Sequence, residues 1–399
     1  MGHVHAGSLG RTLGWVAVTA ALSGKTIVYL VTEDWYFWSH RLPFARAARD
    51  AGASIIVACR YSEHRDRIAA EGFRAYDIPF DRSGLNPIRD IGTLRAIAAL
   101  YREVRPDLVH HVAMKPVLYG GIIAARQRVP CVVNAMAGLG FLFISRGAMT
   151  TIIRNFIERA FRYLNNRPNS TLIVQNGDDA DLFTDRIGVA RDRIRIIRGS
   201  GVDTDRFTHS PEPPGTPVAA CISRMLWDKG IGELVDAARI LKERGVGLTV
   251  RLVGPTDANP ASIPAATLAS WQQDGIVDVA GPSDDVAGIY ADAHIAVLPS
   301  YREGLPKSLL EGAACGRPIV ATDVPGCREI CVDGESGIRV PARSVEPLAD
   351  ALERLATDAD LRRTLGTGAR ALVERSFAQE IVVAQTMALY DEMLTSVKG

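Results

Sequence analysis

From residue 25 onward, short apolar runs alternate with longer stretches in which apolar positions recur every three or four residues. The runs Thr26–Thr32, Ser54–Cys59, Ala75–Ile78, Asp107–His111, Cys131–Ala135 and Thr171–Gln175 are too short for helices and read as buried strands. Helical stretches lie between them. One covers His40–Ala51 and stops at Gly52, and a second ends at Gly72. A third covers 90–104, where Ile91, Leu94, Ile97, Ala98, Leu100 and Tyr101 share a face. Strand–helix–strand at this spacing predicts a parallel sheet with right-handed crossovers.

The stretch His209–Pro217 holds four prolines and a glycine, which suits neither a helix interior nor a central strand. A second alternating series starts at Val218–Ile222, with strands near 248–253, 276–280, 294–298 and 318–321, and helices follow from Val345. The fold class is therefore α/β, with two Rossmann-like parallel-sheet lobes facing across a cleft. Expected boundaries are a disordered extension over 1–24, a first lobe over 25–205, a linker over 206–217, a second lobe over 218–375 and a C-terminal helix over 376–399 that packs back on the first lobe. The apolar run Leu13–Leu22 is too short to span a bilayer, and its basic flank is too weak for a secretory signal.

Charge adds a second division. The chain of 399 residues has 46 basic and 45 acidic side chains, a net charge of +1, which excludes a strongly basic nucleic-acid binder. Residues 1–205 hold 27 basic and 19 acidic groups, a net +8, and the remainder 19 and 26, a net −7. Opposite signs on the two halves suggest different partners, or attraction between lobes. The six cysteines lie mostly in apolar runs without a C-x-x-C pair, as buried reduced thiols do, and no metal site is expected.

Candidate chemistry gathers behind two strands of the second series. The strand 294–298 runs into Pro299–Gly304 and then a helix over Leu305–Cys315, with Glu303 at the strand's end and Glu311 about two turns into the helix. Gly304 permits close backbone approach, and free N–H groups at a helix start suit a phosphate. A carboxylate accepts both hydrogen bonds of a vicinal diol, as in a ribose. After Val218–Ile222 come Arg224 and Lys229, an arginine fork and a lysine that together neutralise a diphosphate without a metal. Each of these residues also has a plain reading as a solvated helix-end charge. Neither the dinucleotide G-x-G-x-x-G nor a P-loop follows the first strand.

Arg224 with Lys229-Gly230, and Glu303-x7-Glu311, resemble the donor site of retaining glycosyltransferases of family four, which have the GT-B fold. The resemblance covers residues 25 to about 390 and includes Ile197–Phe207 and Gly316–Gly326. It implies that Arg224 and Lys229 hold the diphosphate of a nucleotide sugar, Glu303 contacts sugar hydroxyls, Gly304 and Leu305 offer backbone N–H groups, and Glu311 binds the ribose. It implies no cofactor beyond the nucleotide-sugar co-substrate and no metal. His110, His111 and Ala113–Gly120 resemble a subgroup that extends polyprenyl-diphosphate-linked glycans in bacterial surface-polysaccharide synthesis. Many members carry a cleft histidine two residues beyond the position of His110, where this chain has Val112. His111 is then the candidate catalytic histidine, and His40, His110, Lys115, Gly138 and Gly140 are expected on the acceptor side.

The helical stretch 146–167 sets Met149, Ile152, Ile153, Phe156, Ile157, Ala160, Phe161 and Leu164 on one face, with five arginines and the single acid Glu158 around it. A basic amphipathic helix of this kind suits an anionic membrane surface, or packs on a core. The combined expectation is a retaining hexosyl- or N-acetylhexosaminyl-transferase, cytoplasmic and peripheral on the inner face of the plasma membrane. It would take a UDP-sugar and a glycan or lipid-linked acceptor. The rival readings are a nucleotide-sugar epimerase of the same fold and a non-catalytic two-lobed solute-binding protein.

Overall fold

A computed structural model describes residues 21–81, 87–136, 148–257, 259 and 261–396. The chain divides into two compact units, residues 1–200 with 382–399, and residues 201–381.

The first unit carries a seven-stranded parallel sheet in the order β3-β2-β1-β4-β5-β6-β7. The strands are β1 (Thr26–Glu33), β2 (Ser54–Arg60), β3 (Arg74–Asp77), β4 (Leu108–Val112), β5 (Cys131–Ala135), β6 (Ser170–Val174) and β7 (Ile194–Ile196). The central strands are buried along their whole length because helices cover both faces. Two apolar layers result, one around Tyr29, Phe37, Phe44 and Tyr390, the other around Leu30, Tyr101, Phe161 and Phe183.

The second unit carries a six-stranded parallel sheet in the order β10-β9-β8-β11-β12-β13. Its strands are β8 (Val218–Ile222), β9 (Thr249–Val253), β10 (Asp278–Gly281), β11 (Ile295–Leu298), β12 (Ile319–Thr322) and β13 (Gly337–Val340). In each sheet the strand order reverses once, between β1 and β4 and between β8 and β11. That reversal opens a crevice beyond the carboxyl ends of the two strands, where such sheets bind ligands.

Three expectations need correction. Residues 21–24 are not part of a disordered extension. Leu22 is fully buried in the first unit's core, and the N–H of Gly24 donates to the Gly52 carbonyl at 2.9 Å. The proline-rich stretch is not a free linker either. Arg362 grips Glu212 with two hydrogen bonds of 2.9 and 3.0 Å, and the carbonyl of Pro213 lies 2.9 Å from His294 Nε2. Prolines have no N–H to satisfy, so this strap bonds through its carbonyls and carboxylate to the second unit. The helix expected over His40–Ala51 runs over Leu42–Asp50, and a separate helix, Asp34–His40, precedes it, with Arg41 between them. The aromatic run after β1 is helical because Asp34, fully buried, accepts bonds from the N–H groups of Ser62 and His64 and ties the run to the loop after β2.

All six cysteines are buried and unpaired. Burial pushes the thiols of Cys131 and Cys221 up to about 11 and about 12, so neither ionises at neutral pH.

Candidate functional site

Two loops meet at the reversal point of the second sheet. The chain leaves β8 through Arg224, turns over Trp227–Lys229 and reaches Gly230, whose φ is +70°. A side chain there would place its Cβ 2.0 Å from the carbonyl oxygen of Pro299, in the loop that leaves β11. Glycine alone allows both the backbone angle and this approach. The carbonyl of Asp228 accepts from the Tyr301 N–H at 3.0 Å and the Ser300 hydroxyl at 3.3 Å, locking the loops together. Gly326, after β12, packs beneath the same turn, where a Cβ would sit 2.4 Å from the Gly304 carbonyl oxygen.

This packing brings Lys229 Nζ to 2.5 Å from Glu303 Oε1. Lys229 and Glu303 are mostly enclosed, so their attraction is screened less than that of a surface pair. Arg224 stands apart from that pair. It is 43 % exposed and lies 2.5 Å from Asp257, a loop residue that no motif in the sequence marks. Both cations expected at the diphosphate therefore have carboxylate partners in the free protein.

Gly304 and Leu305 form the turn before the helix, which starts at Lys307 rather than Leu305 because Pro306 occupies the N-cap. The N-cap Pro306 makes no side-chain bond to the helix's first turn, and a helix start of this kind suits an anion. Glu311 falls on the helix's inner face, 8 % exposed, with Lys307 Nζ at 3.7 Å. Burial holds its carboxyl above the usual range, against the opposing charges of Lys307 and Arg206.

The first unit places its candidates differently. His111 is fully buried. Its Nδ1–H donates to Asn134 Oδ1 at 2.8 Å and its Nε2 lies 2.8 Å from the Tyr101 hydroxyl. Gly120 is glycine because a Cβ there would meet this ring at 2.6 Å. Burial lowers the imidazole to about 4, so it is neutral and enclosed. The catalytic part expected for His111 does not fit this placement; the ring packs β4 to the helices around it. His110 is also buried, stacked on Tyr29 and 2.5 Å from the Tyr390 hydroxyl through Nδ1. It is a core residue rather than an open acceptor-side group. Lys115 Nζ donates to the Asp81 carbonyl at 2.8 Å and lies 3.5 Å from Asp90, so its charge is compensated. His40, half-buried, stacks on Tyr36 with centroids 4.3 Å apart. Gly138 and Gly140 lie outside the described residues.

The basic helix spans Ala148–Asn165. Ile157, Phe161 and Leu164 of its apolar face are buried in the unit's core, as the core-packing alternative expects of these residues. The outer face instead shows Phe156 and Tyr163, 68 % and 63 % exposed. Beside Tyr163 a groove of about 530 Å³ is lined by Arg159, Arg162, Asn166, Arg167 and Pro168. Glu158 pairs with Arg186 at 2.8 Å, whereas neither Arg159 nor Arg162 has a carboxylate partner among the described residues. No helix among the described residues is long and apolar enough to cross a membrane.

Comparison with known proteins assigns both units. Residues 26–176 match a family described as glycosyl transferase 4-like, and residues 216–358 one described as glycosyl transferases group 1. The N,N'-diacetylbacillosaminyl-diphospho-undecaprenol alpha-1,3-N-acetylgalactosaminyltransferase of Campylobacter jejuni is 26% identical over 370 residues, covering 90% of this chain and 96% of that protein. The putative colanic acid biosynthesis glycosyltransferase WcaL of Escherichia coli is 29% identical over 274 residues, 63% of this chain and 66% of that protein. Among solved structures, sucrose-phosphate synthase of Thermosynechococcus elongatus superposes with a TM-score of 0.77 at 19% identity, covering 93% of this chain and 100% of that one. Anabaena HepE in complex with UDP-glucose gives 0.73 at 19% identity with the same coverage. At these identities the structural likeness is one of fold.

Proposed function

This chain is a glycosyltransferase of the GT-B fold, and from that premise we propose that it is a retaining enzyme that transfers a hexosyl or N-acetylhexosaminyl group from a UDP-sugar to a polyprenyl-diphosphate-linked glycan in bacterial surface-polysaccharide synthesis. The observation that carries the reading is the Lys229–Glu303 pair at the reversal point of the second sheet, beside an uncapped helix start. The 26% identical relative, similar over nearly its whole length, is named for a diphospho-undecaprenol acceptor and supports the acceptor class.

In this reading the donor diphosphate takes over the cations. Arg224 exchanges Asp257 for phosphate oxygens, and Lys229 stays fixed by Glu303 while its remaining N–H groups turn to the phosphate. As the C1–O bond to the diphosphate breaks, negative charge grows on the leaving oxygen. The two cations and the open N–H groups of the helix start stabilise it more than the ground state. The acceptor hydroxyl attacks C1 from the same face, and its proton passes to the departing phosphate oxygen. Glu303 orients sugar hydroxyls and Glu311 accepts from the ribose diol. No metal is required, because the positive charge comes from side chains. The exposed face of Phe156, Tyr163, Arg159 and Arg162 rests on anionic lipid at the inner surface of the plasma membrane, where the acceptor lies.

The test is thermal unfolding with UDP, GDP, ADP and dTDP in EDTA, followed by product analysis. UDP should stabilise by about 2.7 kcal/mol at a hundredfold excess over its dissociation constant. Arg224→Ala and Lys229→Ala should each lose most of that shift. The sugar transferred to a polyprenyl-diphosphate acceptor should keep the donor's anomeric configuration. An inverted product, or a UDP shift that survives both substitutions, overturns the reading.

A further inference from the structure

The first unit holds a buried cation without a counter-ion among the described residues. Arg41 joins the two helices that follow β1, and it is 5 % exposed. Its Nε is sealed from solvent with no hydrogen-bond partner. No ion pair or hydrogen bond joins its guanidinium to any described residue; the contact it makes is with the Phe44 ring, 5.5 Å from the ring centre. Phe44 lies in the first turn of the helix Leu42–Asp50, whose N-terminus has no side-chain cap.

The acids nearest in sequence are committed elsewhere. Glu33 pairs with Arg60 at 3.1 Å, and Asp34 is saturated by the loop of Ser62 and His64. Among the described residues, the Arg41 charge acts on Tyr29, Tyr36, His110 and Tyr390. Of these, His110 on β4 also has a ring nitrogen, Nε2, that is buried without a partner. An uncompensated buried guanidinium is costly, and breaking a buried pair by removing one partner is among the most destabilising changes known. The arrangement is that of a pair whose anion arrives from outside.

We propose that Arg41 is an anion-binding residue of the first unit that takes phosphate oxygens of the acceptor's diphosphate. The planar guanidinium fork matches two oxygens of one phosphate. This rests on the reading of the acceptor as a lipid-linked diphosphate. It assigns the first unit's phosphate contact to Arg41 rather than to Lys115, whose charge is already taken up.

The experiment uses the full chain saturated with UDP, so that the donor site is occupied. Inorganic diphosphate is then added and unfolding recorded, with inorganic phosphate in parallel. Wild type should show a second stabilisation with diphosphate, weaker with phosphate. Arg41→Gln should lose the second shift and keep the UDP shift, and Arg41→Lys should keep part of it. With a polyprenyl-diphosphate acceptor, Arg41→Gln should raise KM for the acceptor about ten- to hundredfold, as expected for a lost charged hydrogen bond, while KM for the donor is unchanged. In anion-free buffer Arg41→Met should unfold no earlier than wild type. A diphosphate shift equal in wild type and Arg41→Gln, or a large loss of stability in Arg41→Met, overturns the proposal. Absence of any UDP shift instead sinks the transferase reading on which it rests.

Discussion

Glu311 shows how one side chain serves two states at different cost. Its carboxyl is buried and held above the usual range, so the folded protein holds its proton more tightly than the unfolded chain, which ionises it near pH 4. A raised folded value means that its stabilising contribution is complete at low pH and is lost as pH rises through the folded value. Glu311→Gln should therefore melt above wild type at neutral pH without nucleotide, and the gap should close below about pH 4. Glu311→Ala should weaken UDP binding by about 1.5–3 kcal/mol, the worth of a hydrogen bond to a charged group. Melting curves across pH and a UDP titration check both; an unchanged UDP affinity removes Glu311 from the site. At the residue scale the sequence is least legible: two adjacent histidines at a strand end suggest acceptor chemistry or packing alike, and in the structure β4 is buried and its histidines are packed and hydrogen-bonded within the unit. Arg41 carried no signal, because what marks it is the absence of a partner, which only three dimensions reveal.

At the scale of elements the alternating pattern was legible almost throughout, since buried parallel strands are short continuous apolar runs and seldom mistaken for loops. The strands β7 and β13 escaped notice: the exposed-edge sequences Ile194–Ile196 and Gly337–Val340 mix apolar residues with arginine. The loops after β8 and β11 were placed by motif, but their contact depends on Gly230, whose need to be glycine arises from Pro299, some seventy residues away. The helix Ala148–Asn165 had its periodicity read correctly while its apolar face stayed open between core and lipid, because a core-facing stripe and a lipid-facing stripe share one pattern. The outer face makes its own prediction. Phe156→Ser with Tyr163→Ser, or Arg159→Gln with Arg162→Gln, should each reduce flotation with phosphatidylglycerol vesicles severalfold and leave UDP stabilisation intact. Binding to neutral vesicles as strong as to anionic ones would remove the arginines from this role.

For the whole molecule, the segment that closes the first unit is its last. Val382, Met387, Tyr390, Met393 and Leu394 of the helix Gln379–Ser396 lie in the same apolar layer as Tyr29, Phe37 and Leu22. Tyr390 also bonds the Tyr29 hydroxyl at 3.1 Å. Ending the chain at Phe377 should therefore strip the first unit of a helix's worth of apolar cover. Such a protein should lose one of two unfolding transitions in calorimetry, or fail to fold in that half. Two undisturbed transitions would show the helix to be dispensable.

The same helix sets a schedule. The chain crosses from the first unit to the second after Ser200 and returns only after Ile381, so the second unit is an insertion within the first. During synthesis, the strands of the first unit must wait for the helix Gln379–Ser396, made after the whole second unit. The later-encoded sheet has all its parts while the earlier one still exposes the layer around Tyr29 and Phe37. Domains usually mature from the N-terminus onward. Here the order of completion is inverted, and the half-made first unit, with its apolar face uncovered until the final turns emerge, is the stage at which a nascent chain most needs a chaperone.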